Sequence, residues 1–382
     1  MDTDTIAKGG VLAEMVDHSR LFSVVIVSYQ NFNLWKQAVY SVLKQRYPCI
    51  QLIFYDDGTP GFSLENVICY IEEKRQDTLV SYVVKSHETN QGTVRTMRDA
   101  HDFCTGRYLM HLAADDALYD EEVLKSFADS LDSQNEKVMG VYARSVICNE
   151  DLSIMGEERC SFDIEKAMEL NHQTAEDQWR ALCESCCIHM GATAFARSKL
   201  MQFGDFDMSY RLLEDWPFFL AATESGYIFH YENFKALRYR MGGISDGNEF
   251  SQGRLLCFED QLKIYEKKII PNLNRLGLVK RFSVYRRYRN DRQDVAERGV
   301  LRSQETLSSL LKKQPVLYVF EICWMLSRWR VSFLVWGLGC AASVWMNSFL
   351  LAVVWTILEL VIMFIISNKE RGTQNDSQYT NH

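Results

Sequence analysis

Between residues 22 and 112 the chain switches between two patterns, short unbroken apolar runs and stretches with an apolar residue at every third or fourth position. Phe22–Tyr29 (FSVVIVSY) is continuous and β-branched, as a strand buried on both faces of a parallel sheet reads. Leu34, Ala38, Val42 and Leu43 then recur at helical spacing, with Asn31 placed to cap the helix and Pro48 closing the segment. Ile50–Tyr55 is a second strand, and it stops at Asp56, Asp57, Gly58, Thr59 and Pro60. A helix over Leu64–Arg75, a strand over Leu79–Lys85, a helix from about Gly92 to Cys104 and a strand over Arg107–Leu112 continue the series. This βαβα order predicts an α/β fold on an open sheet. Beyond it the pattern predicts a strand near Lys137–Ile147, helical material over Asp163–Leu182 and an apolar stretch at Met190–Phe195. A helix from about Leu213 to Ser225 and a strand at Tyr227–Tyr231 follow, and residues 246–313 read as mostly helical and polar.

The longest apolar run comes late. Val331–Ile366 holds 36 residues with one charge, Glu359. A straight helix of that length would measure about 54 Å, against a hydrocarbon core of about 30 Å. The run therefore predicts two arms, 331–345 and 349–366, turning at Met346–Ser348, with one span plus an interfacial helix and a soluble buried hairpin as the alternatives. Lys312, Lys313, Arg328 and Arg330 precede it and Lys369 and Arg371 follow, which puts both flanks on the cytoplasmic side.

Charge sharpens that picture. The net charge of −8 hides a basic stretch, residues 263–330, with 16 basic and 6 acidic side chains. A basic stretch beside an apolar run suits anionic membrane lipids, whereas the acidic main body is a poor partner for nucleic acid. The first 20 residues are polar and acidic, without the apolar run of a secretory signal, and the 11 cysteines lack a disulfide spacing, so a reducing cytoplasm is expected. Cys183, Cys186 and Cys187 with His189 offer no second ligand pair at zinc spacing and read as inert thiols.

Ligands of open α/β sheets sit beyond the carboxyl ends of the strands, where this chain carries Ser28–Tyr29, Asp56–Asp57 and Asp115–Asp116. A Gly-rich dinucleotide turn after the first strand and a phosphate loop ending in Gly-Lys-Ser/Thr are both missing. The carboxylates of Asp115 and Asp116 are hard oxygen donors, able to hold Mg²⁺ or Mn²⁺ against a diphosphate. A carboxylate at Asp57 can accept from the imide N–H of a pyrimidine base, although Asp-Asp-Gly is also ordinary turn chemistry. Arg95 and Arg98 either face phosphates or form a solvated helix face.

The fragments VVIVSYQNF, YDDGTP, NQGTVRTMRDA, GRYLMHLAADDALYD and FDMSYRLLEDWPFFLAATESGY, followed by LRYRMGGIS, occur in that order over residues 21–245. In sequence and spacing they resemble the inverting family 2 glycosyltransferases of GT-A fold. The resemblance implies a Rossmann-like mixed sheet with flanking helices and transfer of a sugar from a nucleotide-diphosphate donor to an acceptor hydroxyl. It implies Asp115 as metal ligand with Asp116 beside it, and Ser28, Tyr29, Asp56 and Asp57 around the nucleotide. It also implies Asp215 as the base that takes the acceptor proton, next to Glu214. The first acid of the family's metal motif is replaced by Ala113. That departure favours the competing expectation of a membrane-anchored scaffold without catalysis.

The expected organisation is an extension at 1–20, a GT-A domain at 21–245, a basic helical juxtamembrane region at 246–330, membrane segment(s) at 331–366 and a polar tail at 367–382. The expected setting is the cytoplasmic membrane with the catalytic domain in the cytoplasm. A lipid-linked or glycan acceptor in cell-surface polysaccharide synthesis is the expected partner.

Overall fold

The computed structural model describes residues 18–154, 163–242, 252–297 and 317–321. It divides into two compact units: the described residues up to 281 together with 291–297, and a smaller one comprising 282–290 and 317–321.

The first unit is an α/β layer structure around one eight-stranded mixed sheet. Its strands are β1 Phe22–Ser28, β2 Ile50–Asp56, β3 Leu79–Ser86, β4 Tyr108–Ala113, β5 Ala117–Leu118, β6 Val138–Cys148, β7 Thr193–Ala196 and β8 Ile228–Arg240. They lie in the order β3-β2-β1-β4-β7-β6-β8-β5. β1 pairs in parallel with β2 and β4, and β2 with β3, so four strands run the same way. β7 is antiparallel to β4 and to β6, and β6 is parallel to β8, which brings β8 back to the direction of β4.

Helices α1 Trp35–Leu43, α2 Leu64–Lys74, α3 Thr93–His101 and α4 Val123–Ser133 cover this sheet. Phe22, Val24 and Ile26 of β1 share a core with Val39 and Val42 of α1, Val67 and Ile71 of α2, and Leu124 and Phe127 of α4. α3 packs against β1 and β2. With both faces covered, β1 and β2 are buried at every position, which is why they read as unbroken apolar runs.

The later elements depart from the expected pattern. The segment 163–182 is two helices, α5 Ile164–Leu170 and α6 Ala175–Glu184, because Thr174 and Asp177 form a capping box that restarts the helix. β8 has 13 residues where five were expected, since its outer neighbour β5 covers only two of them and the strand stays largely half-buried and polar. Asn31 does not cap α1 with its side chain; its carbonyl accepts from Leu34 N–H at 2.9 Å, and the cap residue is Leu34. Helices α7 Arg197–Phe203 and α8 Asp215–Glu224 flank the return to β8. Then α9 Gln252–Ile264 runs into a π-helical turn, Tyr265–Ile269, and α10 Leu278–Glu297 follows.

In the smaller unit Glu321 accepts a forked pair from Arg289, both contacts at 2.8 Å, and a third bond from Tyr285 Oη at 2.6 Å. The apolar run 331–366, read from sequence as membrane segment(s), lies outside the described residues. Among the described residues no helix is long and apolar enough to cross a membrane.

Candidate active site

The parallel register aligns Ser28 with Asp56 and Asp56 with Ser86, and Val27 with Ala113. The ends of four strands therefore open on one edge, as the sequence implied. Asp56 is wholly buried and turns its oxygens inward. It accepts from Thr59 N–H and Oγ1, both at 2.7 Å, and from Ser86 Oγ at 3.0 Å. Asp57 reaches the other way and gathers the loop before α3: Gln91 N–H at 2.7 Å, Gly92 N–H at 2.9 Å and Asn90 Nδ2 at 2.8 Å. Burial pushes the Asp57 carboxyl up, and the Gln91 N–H, the Thr96 side chain and the Gly92 N–H pull it partly back. Ser28 is buried, its carbonyl accepting from Asp57 N–H at 2.7 Å, while Tyr29 is half-buried at the rim.

The loop needs glycine at two points. Gly58 has φ +72° and a Cβ there would lie 2.4 Å from the Thr89 carbonyl carbon; Gly92 has φ +97° and its Cβ would lie 2.5 Å from Arg211 O. The second approach has a purpose, because Arg211 O caps α3 by accepting from Val94 N–H at 3.2 Å.

Asp115 and Asp116 follow β4 directly. Asp116 is buried, and its Oδ1 accepts from Arg240 N–H at 2.9 Å, while Arg240 Nε donates to Asp115 O at 2.6 Å. The acid pair is thereby fastened to the end of β8. Asp115 remains half-exposed at the crevice edge. Among the described residues no group of three or more His, Cys, Asp or Glu side chains is disposed to hold a metal alone. A cation carried by a diphosphate commonly takes only one or two protein carboxylates, and the hard oxygens of Asp115 fit that need.

Glu214 and Asp215 open α8. Trp216 anchors the helix start, donating from Nε1 to Leu182 O at 2.7 Å and meeting Tyr265 edge-on. Phe218 packs edge to face with Phe195, Phe203 and Phe206. Asp215 Oδ1 accepts from Trp216 N–H at 2.6 Å, and Cys186 Sγ lies 3.7 Å from Oδ2. A helix N-terminus by itself favours an ionised acid, typically by 0.3–1 kcal/mol. Here burial outweighs it: desolvation raises Asp215 above its ordinary value. Glu214 goes up to about 8, through burial first, then the Asp215 charge and, more weakly, that of Asp260.

The segment that carries these two acids is tied to the Asp57 turn. Arg211 Nη2 donates to Asn90 Oδ1 at 2.8 Å and Asn90 O at 3.1 Å, and Asn90 donates to Asp57. Three bonds thus join the end of β2 to the segment that carries the acids.

Residues 23–201 match the family model described as Glycosyl transferase family 2. Among curated proteins, the PGL/p-HBAD biosynthesis glycosyltransferase of Mycobacterium tuberculosis is 22% identical over 228 residues, covering 59% of this chain and 79% of that protein. Its counterpart from Mycobacterium bovis aligns equally. Many solved structures are similar to this chain, among them the following two. One is Staphylococcus aureus TarS 1–349 with UDP-GlcNAc, at TM-score 0.45 and 13% identity, over 72% of this chain and 80% of that one. The other is the Pyrobaculum calidifontis mannosyltransferase PcManGT with GDP-Man and Mn²⁺, at TM-score 0.48 and 12% identity, over 78% and 80%. The chain spans about half (49%) of the longer S. aureus TarS chain.

The family 2 match contains the strand-end acids and ends before Glu214 and Asp215. Of the residues singled out from sequence, Ser28, Tyr29, Asp56, Asp57, Asp115 and Asp116 lie at the common strand edge, and Glu214–Asp215 follow Arg211, whose guanidinium bonds Asn90 beside the Asp57 turn. Arg95 and Arg98 are exposed on α3. Arg95 Nε bonds Asp99 at 2.8 Å, and Arg98 Nε lies 3.9 Å from Asp205, the arrangement of a solvated helix face. Arg211, Arg240 and Asp260 were missed. Arg240 stands in the LRYRMGGIS fragment and was available to sequence reading, whereas Arg211 and Asp260 act only through tertiary contacts. His189 of the cysteine cluster bonds Ser145 through Nδ1 at 2.9 Å.

Proposed function

We propose that the protein is an inverting glycosyltransferase of GT-A type that moves a sugar from a nucleotide-diphosphate donor to an acceptor hydroxyl. The observation that carries this reading is the Asp57–Asn90–Arg211 chain, which joins the strand-end carboxylates of the family 2 match to two acids of raised proton affinity. In this reading Ser28, Tyr29 and the Asp57 turn cradle the nucleoside. Asp115, with Asp116 fixing its turn, would hold Mn²⁺ or Mg²⁺, a charge that when bound offsets the negative charge of the leaving diphosphate.

Asp215 takes the proton. The acceptor oxygen attacks the anomeric carbon, the bond from that carbon to the diphosphate oxygen breaks, and the hydroxyl proton ends on the Asp215 carboxylate. A carboxylate raised by burial suits the work better than an ordinary one, because its conjugate acid is weaker and the proton transfer more favourable. Asp215 Oδ2 is the more available oxygen, since Oδ1 is engaged by Trp216 N–H at 2.6 Å and Oδ2 only by the weaker thiol donor Cys186 at 3.7 Å.

The same proposal includes anchoring. The apolar run 331–366 and its basic flanks support a protein held at the cytoplasmic membrane, its acceptor lipid-linked and its product a cell-surface polysaccharide. A panel of uridine, guanosine and thymidine diphosphate sugars, scored for release of nucleoside diphosphate with and without Mn²⁺, tests the activity. Metal-dependent release with one donor, lost in Asp115→Ala, is the expected outcome. Binding without release for every donor and acceptor tried would favour the scaffold that Ala113 suggests.

A further inference from the structure

The acids at the start of α8 depend on a residue beyond both the family match and the sequence resemblance. Asp260 sits in the last turns of α9 and is 1% exposed. Its Oδ2 accepts from three consecutive backbone N–H groups, Arg211 and Leu212 at 2.7 Å and Leu213 at 3.3 Å. Lys263 Nζ bonds its other oxygen at 3.1 Å. Aspartate is a poor helix former, and a fully buried carboxylate is costly unless its oxygens are paired. Three N–H donors and an ammonium meet that cost, and charge-assisted bonds of this kind are the strong ones.

The segment so held is the one that ends in Glu214 and Asp215. It is fixed from the opposite side as well, because Arg211 O accepts from Val94 N–H and its guanidinium grips Asn90. Residues 211–213 are thus clamped between α3 and α9, and the acids follow immediately.

We propose that Asp260 is a positioning residue for the Glu214–Asp215 pair, its Oδ2 setting the turn from which both acids project. The proposal rests on the reading of that pair as the acceptor-side acids. Displacing a reacting group by about 1 Å can cost on the order of 10²-fold in rate. Asp260 is buried and bonded only to the 211–213 amides and Lys263, so its removal should act on kcat more than on donor affinity.

Three substitutions separate position from charge and from mere stability. Asp260→Asn keeps one oxygen where Oδ2 stands and removes the charge; Asp260→Glu keeps the charge and moves the oxygen by a methylene; Asp260→Ala removes both. In the full-length protein, at saturating donor and acceptor, the expected order is Asn within about threefold of wild type, Glu lower, and Ala lowest at about 10²-fold down, with donor KM unchanged in all. If Ala fails to fold, the Glu and Asn variants decide. Wild-type kcat in folded Asp260→Ala, or in both Glu and Asn, overturns the proposal. Asp215→Asn run in parallel keeps the two readings apart. A slow Asp260→Ala beside an active Asp215→Asn removes Asp215 as base and leaves Asp260 positioning Glu214.

Discussion

Two sets of carboxylates, joined through Asn90 and Arg211, are held in different ways. At the strand ends, Asp56, Asp57 and Asp116 are buried, and each spends oxygens on nearby backbone or hydroxyl donors. They shape turns. At the start of α8, Glu214 and Asp215 are half-buried, and the pair sits with a third acid, Asp260, behind it. The first set commits its oxygens to the turns that hold it, whereas the second takes its geometry from Asp260 and Arg211. Under the proposed function the contrast gives a structural part to the first set and proton transfer to the second.

The largest effect that would sharpen this contrast is on stability at the strand-end set. Asp57→Ala leaves the buried Gly92 N–H, and Asn90 Nδ2 and Gln91 N–H beside it, without their acceptor. A stranded buried donor costs about 1–3 kcal/mol, so urea denaturation should show a loss of about 2–3 kcal/mol, the exposed Gln91 being rescued by water. A loss below about 0.5 kcal/mol would mean that Asp57 is not the clamp described. Next comes Gly92→Ala, which forces a Cβ to within 2.5 Å of Arg211 O at φ +97°. Relief requires residue 211 to retreat, so the variant should lose kcat as well as about 1–2 kcal/mol of stability. Normal kcat would unlink the two sets.

Smaller, and opposite in sign, is Glu214→Gln. Burial lifts the folded-state value of Glu214 above the unfolded one, so the ionised form is the one folding disfavours. Below the unfolded carboxyl's usual range both states hold the proton and there is no penalty, and the penalty grows as pH rises from there to about 8. Glu214→Gln should therefore melt higher than wild type at pH 8 and alike near about pH 4, with Tm the quantity compared. An equal shift at both pH values would remove burial as the cause.

The same contrast governs what was legible in the chain. The strand-end acids follow continuous β-branched runs buried on both faces, and such runs announce themselves, so Asp56–Asp57 and Asp115–Asp116 could be placed on one edge from sequence. β8 could not be read whole, since Glu232, Asn233 and Lys235 interrupt its apolar pattern where almost no strand covers its outer side. The Thr174–Asp177 box and the spacing of Val123, Leu124, Phe127 and Ala128 in α4 were signals open to reading that were passed over. Asp260 gave none. It is one acid in a polar helix, and its meaning lies in three amides 47 to 49 residues away.

The central claim is that Asp215 accepts the acceptor's proton, and its most direct test is turnover of Asp215→Asn at saturating donor and acceptor beside donor affinity measured by calorimetry. The substitution keeps shape and removes the base. The account predicts a donor Kd within about twofold of wild type and kcat down by about 10²- to 10⁴-fold. Turnover within a few-fold of wild type, in a folded variant that binds donor, would contradict it.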